Sequence, residues 1–135
     1  MAIVMSLQTL GSFLLYFGAA LAAMAIFVAV YMALTSHHEA TLIRQGNTAA
    51  AISFSGALLG FTLPLASAII HSVSLIDMLV WSAIALVVQI GVFFLVDRTL
   101  RRISKHIEDG NVAAGTTLAA AAVAIGIINA ACLTY

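Results

Sequence analysis

The chain is 135 residues long, 64% hydrophobic and only 7% charged, with a formal net charge of zero. An average soluble domain carries about 25% charged residues, so water cannot be the solvent for most of this surface and lipid has to take its place. The neutral balance excludes nucleic-acid binding through a basic face, and the one cysteine, Cys132, has neither a disulfide partner in the chain nor metal-ligand spacing.

The first apolar run, Leu10 to Leu34, holds 25 residues without a charge. As a helix it measures about 37 Å, enough to cross a hydrocarbon core of about 30 Å with some tilt. Ala-Leu-Ala-Ala-Met-Ala at 20 to 25 suggests a signal-peptide cleavage site. No Lys or Arg precedes the run, however, and it is too long for a signal peptide's apolar region, so it reads as a retained helix. A polar turn from Thr35 to Gln45 contains His37, His38, Glu39 and Arg44. The second run, Thr48 to Ile70, carries Gly56 and Gly60 and then Pro64, which should kink it. A short turn around His71 to Ser74 leads to the third run, Leu75 to Val96. The second polar turn, Asp97 to Asp109, is the most charged stretch, and the Ala-rich last run goes from Val112 to Thr134. A membrane β-strand has about 10 residues of alternating polarity, whereas these runs are 22 to 25 residues and continuously apolar. They predict an all-α membrane protein with four transmembrane helices, each satisfying its backbone internally.

One motif is written twice. Ile43-Arg44-Gln45-Gly46-Asn47-Thr48-Ala49-Ala50 returns 64 residues later as Ile107-Glu108-Asp109-Gly110-Asn111-Val112-Ala113-Ala114. Each copy ends a polar segment and opens an apolar run, so the chain reads as two parallel tandem helical hairpins. The first covers residues 1–72, with spans at about 10–34 and 48–70; the second covers 73–135, with spans at about 75–96 and 112–134. All five basic residues, Arg44, Arg98, Arg101, Arg102 and Lys105, fall in the two long turns. The positive-inside rule makes that side cytoplasmic and puts both termini outside. Trp81, Tyr16 and Tyr135 are then expected near the outer interface and Tyr31 near the inner one.

Each polar residue has a structural and a functional reading. Gly46-Asn47 and Gly110-Asn111 read first as helix caps, the Asn accepting from free backbone N–H groups and Gly permitting a tight entry; the other reading is a symmetry-related pair at a pathway mouth. Ser74-Leu75-Ile76-Asp77 fits a capping box, which takes Asp77 as a cap before an intramembrane acid. Within the spans, Gln89 is expected to share the inner level with Ser53, Ser55, Thr116 and Thr117, and Asn129 to lie outward near Thr62 and Ser67. Two separate polar layers suit interhelical hydrogen bonds better than a continuous path, though Ser53, Ser55, Gln89 and Asn129 are also the candidates for lining one. Gly56 and Gly60, the helix-1 stripe Gly18, Ala22, Ala25, Ala29 and Ala33, and Gly115 to Gly126 on the last helix are small enough for close backbone approach. They imply tight packing, within a chain or between copies in a homo-oligomer. His37-His38-Glu39, with His106 in the other turn, is expected to be solvated rather than a metal site. Leu100, Ile103 and Ile107 among Arg98, Arg101, Arg102 and Lys105 form a basic amphipathic segment, expected along the inner membrane surface or against a cytoplasmic protein partner. Nothing resembles a nucleophile–base pair, a phosphate loop or a cofactor motif, so no enzymatic activity and no cofactor or metal is expected.

These residues resemble the YjfL-type family of bacterial inner-membrane proteins. The likeness runs over essentially the whole length and rests on His38-Glu39 with Leu42-Ile43, Asn47-Thr48-Ala49-Ala50, Phe54-Ser55-Gly56, Leu58-Leu59-Gly60, Pro64-Leu65 and Asn129-Ala130-Ala131-Cys132. It implies a tandem pair of two-helix units, residence in the inner membrane and, through neighbours resembling ATP-grasp ligases and phage-shock proteins, envelope maintenance. It implies no known activity. The second copy of the motif has Glu108-Asp109 where the first has Arg44-Gln45, so the two mouths differ in charge. The leading expectation is a self-associating scaffold or interaction subunit in the lipid bilayer; the alternative is an oligomeric ion channel or small-solute permease.

Overall fold

A computed structural model describes residues 1–133. Six helices follow in order: α1 (Ala2–Leu34), α2 (Glu39–Arg44), α3 (Thr48–His71), α4 (Leu75–Thr99), α5 (Ile103–Glu108) and α6 (Val112–Cys132). Among the described residues there is no strand, and α1, α3, α4 and α6 are long and apolar enough to cross a membrane. Thr134, expected to end the last span, and Tyr135, expected at the outer interface, lie outside the described residues.

The helix α1 begins eight residues before the expected span, at Ala2 rather than Leu10. The polar residues there do not stop it, because the Ser6 and Thr9 hydroxyls donate back to the carbonyls of Ala2 and Met5 at 2.9 Å. The helix α4 likewise runs on to Thr99 instead of ending at Val96.

The centre of the bundle is the α3/α6 pair. Gly115 lies against Ala49, Gly56 against Ala119, and Gly60 against Ala122 and Gly126. Farther along, Ser67 Oγ donates to the Ala130 carbonyl at 2.8 Å. These contacts advance together along both helices, so the two run side by side in the same direction. At all four glycines an added Cβ would overlap backbone atoms of the facing helix. Small residues therefore set the separation here, where van der Waals contact replaces the hydrophobic drive that water supplies.

The helix α4 lies along one groove of this pair and reaches both helices through Gln89. The helix α1 packs on α3 and α4 through aromatic rings. Phe27 stacks on Phe61 with centroids 4.4 Å apart, and Tyr31 meets Phe93 edge-on at 5.8 Å. Tyr31 is thus buried in the core, not an interfacial ring as expected, because the one face that carries Phe27 and Tyr31 meets aromatic partners on both neighbours. The α1 stripe Gly18, Ala22, Ala25, Ala29 and Ala33 is exposed. Of the three small-residue stripes, two face each other and the third faces outward. At the end away from the basic residues, Ala68, Met78 and Leu133 form a second apolar cluster flanked by Tyr16 and Trp81.

The polar turns are folded. Ile103 and Ile107 of α5 are buried in the main core, while Leu100 is exposed. This corrects the expectation of a segment lying along the membrane: its apolar side faces the bundle and its charges face out.

Candidate functional site

Each Gly-Asn motif joins a short helix to a long one. Gly46 and Gly110 have φ of 82° and 80°, a left-handed conformation that glycine adopts without strain. Gly46 N donates to Ile43 O and Asn47 N to Leu42 O; Gly110 N and Asn111 N do the same to Ile107 O and His106 O. These paired bonds close the C-termini of α2 and α5. The next helix opens at once, with Asn47 Oδ1 accepting from Ala50 N at 3.0 Å and Asn111 Oδ1 from Ala114 N at 3.2 Å. Asn47 also reaches the other motif, its Nδ2 donating to Ile107 O at 2.8 Å and more weakly to Glu108 O at 3.3 Å. The two polar turns are thereby tied together at the basic end.

Beside this tie lies a buried polar cluster that sequence reasoning assigned to solvent. His37 and Glu39 are 0% and 1% exposed, which corrects the expectation of a solvated turn; His38 between them is exposed. Thr35 Oγ1 donates to Glu39 Oε1 at 2.5 Å, and His37 Nε2 lies 3.2 Å from the same oxygen. His37 Nδ1 and the Ser104 hydroxyl share a hydrogen bond of 3.0 Å, while Ser104 N donates to Asp97 Oδ1 at 3.2 Å. The His37 ring rests 5.9 Å from that of Phe93. Glu39 Oε2 has no hydrogen-bond partner among the described residues. Burial pushes the Glu39 carboxyl above its ordinary range, against the pull of the Thr35 hydroxyl, its own backbone N–H and His38. Burial also lowers His37 to about 4, opposed by Asp97 and aided by His38. The sequence carried only an indirect signal: Ile103 and Ile107 at helical spacing inside a charged turn mark an apolar face without showing what it covers.

Arg98, Arg101, Arg102 and Lys105 are all exposed. Arg102 and Lys105 line an open pocket with Ser36, Asp97, Ser104 and Glu108, on the solvent side of the His37 contact. Arg101 and Arg102 adopt φ of 51° and 63°, left-handed values at which a side chain is strained. The turn they make lets Arg102 N donate to Asp97 O at 2.9 Å and aims α5 back onto the bundle.

Most of the polar side chains within the spans bond backbone carbonyls of the bundle. Gln89 is buried, and its Nε2 donates to Gly60 O at 2.9 Å and Ala122 O at 3.2 Å. It therefore sits at mid-depth, not at the level of Ser53, Ser55, Thr116 and Thr117, because α4 is longer at the basic end than expected. Ser53 and Ser55 donate to Ala50 O and Ala51 O of their own helix, and Thr62 and Thr117 do likewise to Leu58 O and Ala113 O. Asn129 is half-buried near the opposite end, its Nδ2 without a hydrogen-bond partner among the described residues. Asp77 Oδ2 accepts from Val73 N and its backbone N–H donates to Ser74 Oγ, each at 3.1 Å, while Asp77 Oδ1 accepts from Trp81 Nε1. Among the described residues no three His, Cys, Asp or Glu side chains converge as metal ligands.

Sequence relatives match this chain over nearly their whole length. The UPF0719 inner membrane protein YjfL of Escherichia coli strain K12 is 44% identical over 129 residues, covering 96% of this chain and 98% of the relative. The protein of the same description from Escherichia coli O157:H7 is similar to the same degree. No solved structure matches. The family model described as Domain of Unknown Function (DUF350) matches residues 5–133, which takes in all four long helices and both polar turns. The chain belongs to the DUF350 family.

Proposed function

We propose that this protein is a multi-pass subunit of the bacterial inner membrane, with both termini outside and the two polar turns in the cytoplasm. It works as a self-associating scaffold or interaction subunit of an envelope-maintenance system and catalyses no reaction. The inner-membrane relatives and the clustering of all five basic residues at one end support the location and orientation. The observation that carries the scaffold reading is how the polar groups within the spans are used. Gln89, Ser53, Ser55, Thr62 and Thr117 all bond backbone carbonyls of the bundle. Meanwhile the α1 small-residue stripe stands free for close contact with another helix. The end of α4, the turn after it and α5 present Arg98, Arg101, Arg102 and Lys105 on one exposed stretch, as a docking face for an acidic protein surface does. The mass of the protein in nanodiscs, read by native mass spectrometry, tests self-association. Crosslinking from the 98–105 turn in cells tests docking. A strict monomer whose crosslinks are unchanged by Arg101→Glu with Arg102→Glu would rule the reading out.

A second reading, an oligomeric channel or small-solute permease, has one observation in its favour. On the α3/α6 face, Ser55 and Thr116 line an open groove with Gly56, Ala119 and Ala120. Flux through proteoliposomes no greater than through empty liposomes, across common ions, removes it.

A further inference from the structure

The cluster at the basic end poses an electrostatic problem that its own residues do not solve. Glu39 and His37 are both buried, and among the described residues theirs is the one contact of ion-pair geometry, at 3.2 Å. A carboxylate offers about four lone-pair sites. Here Oε1 accepts from Thr35, while Oε2 is buried with no hydrogen-bond partner among the described residues. A buried charge with an unfilled hydrogen-bonding site is far more costly than the neutral acid. Among the described residues no Lys or Arg forms an ion pair with this carboxyl. The α1 helix contributes the Tyr31 hydroxyl, α4 contributes Asp97, and the turn contributes His38. The α5 side contributes the Ser104 hydroxyl, with Lys105, Arg102 and Glu108 on the solvent side of the pocket. The α3 and α6 helices bring no charged residue to this end.

We propose that His37 and Glu39 form a binding site for a single proton that latches α5 onto the bundle. With the proton bound, the pair is neutral overall and can stay dry. His37 then keeps its hydrogen bond to Ser104, and Ser104 keeps α5 against Asp97. Loss of the proton leaves a bare negative charge beside Tyr31 and Asp97, and Ser104, the partner of His37, lines an open pocket. Hydrating that charge requires Ser104 to move, which lifts α5 and the basic residues it carries. The raised carboxyl and the depressed imidazole act in the same sense, since each resists carrying charge in this environment. The latch is a property of the fold and holds whatever docks on the basic face.

The test is a carboxyl titration by NMR of the full chain in nanodiscs, with ¹³C-labelled glutamate, alongside amide hydrogen exchange of α5. The chain has two glutamates, Glu39 and Glu108, so the resonance lost in Glu39→Gln is that of Glu39. The expected result is a Glu39 midpoint above the ordinary carboxylate value of 4.5. Between the ordinary carboxylate value and that midpoint α5 opening, corrected for the intrinsic exchange rate, rises by up to about tenfold per pH unit, the slope of one proton, and it levels off above the midpoint. Glu39→Gln removes this rise of α5 opening with pH. Thr35→Val, which removes the hydroxyl that favours the carboxylate, moves the titration and the opening upward together. A Glu39 midpoint at the ordinary value, α5 exchange that follows the intrinsic rate alone, or a Thr35→Val shift in one readout without the other would overturn the proposal. If Glu39→Gln does not fold, Thr35→Val decides.

Discussion

Gln89 Nε2 donates to the carbonyl of Gly60 at 2.9 Å, and Gly60 stands four residues before Pro64. That carbonyl is the one Pro64 cannot bond, because proline has no N–H. A side chain from α4 thus supplies the donor that α3 lacks, and in lipid no water is at hand to replace it. Gln89→Leu is therefore expected to lower stability by about 1–2 kcal/mol. Pro64→Ala restores a backbone donor to Gly60 and should remove most of that loss in the double variant. Unfolding in mixed detergent micelles gives the cycle. Costs that add to within about 0.3 kcal/mol would mean that the two residues act independently.

Glycines divide by what surrounds them. A Cβ at Gly56 would overlap Ala119, and one at Gly126 would overlap Gly60, whereas Gly91 has nothing within 4 Å. Gly56→Ala and Gly126→Ala are expected to destabilise by about 1–3 kcal/mol as α3 and α6 are forced apart. Gly91→Ala should gain about 0.5–1 kcal/mol through helix propensity. Equal effects at the three sites would show that backbone entropy, not close approach, governs them.

The exposed α1 stripe calls for a different readout. Gly18→Ile with Ala22→Ile adds bulk where the chain itself makes no close contact at Gly18. Unfolding should change little, while the oligomer seen by native mass spectrometry should lose copies. An unchanged mass would place self-association on another face.

Long spans were easy to read because twenty-odd apolar residues admit one solution in lipid. The partnership of Gly56 and Gly60 with α6 was harder, since a small-residue stripe identifies a close-packing face but not its partner. Gln89 was misplaced for a simple reason: ending its helix at Val96 rather than Thr99 moved it about one turn toward the basic end. His37 and Glu39 were hidden because burial there is tertiary. They become dry only when α5, brought back by the left-handed Arg101 and Arg102, closes over them. No local pattern signals that closure.

Arg101 offers a way to separate backbone from charge. Its φ of 51° costs about 1 kcal/mol for a side chain and almost nothing for glycine. Arg101→Gly is expected to stabilise the fold by up to about 1 kcal/mol, while Arg98→Gly, inside α4, should destabilise it. If the basic face docks a partner, Arg101→Gly weakens crosslinking even as it stabilises the protein. Destabilisation by Arg101→Gly would mean that the side chain makes a contact outweighing its backbone strain.

The pH dependence of stability follows from the opposed shifts of His37 and Glu39. His37 falls from 6.5 to about 4 on folding, so between those values the unfolded chain binds more protons and stability rises with pH. Glu39 moves the other way, above its ordinary 4.5. Its contribution is fully present below that value and is lost as pH rises through the folded one. In the wild type the two slopes oppose each other above pH 4.5, so the melting temperature should climb less with pH than it does without Glu39. Glu39→Gln removes one of them and should leave a melting temperature that climbs from about pH 4 to 6.5. His37→Asn should leave the reverse, a melting temperature that falls as pH rises. Parallel profiles in the two variants would mean that neither group carries the shift its burial imposes.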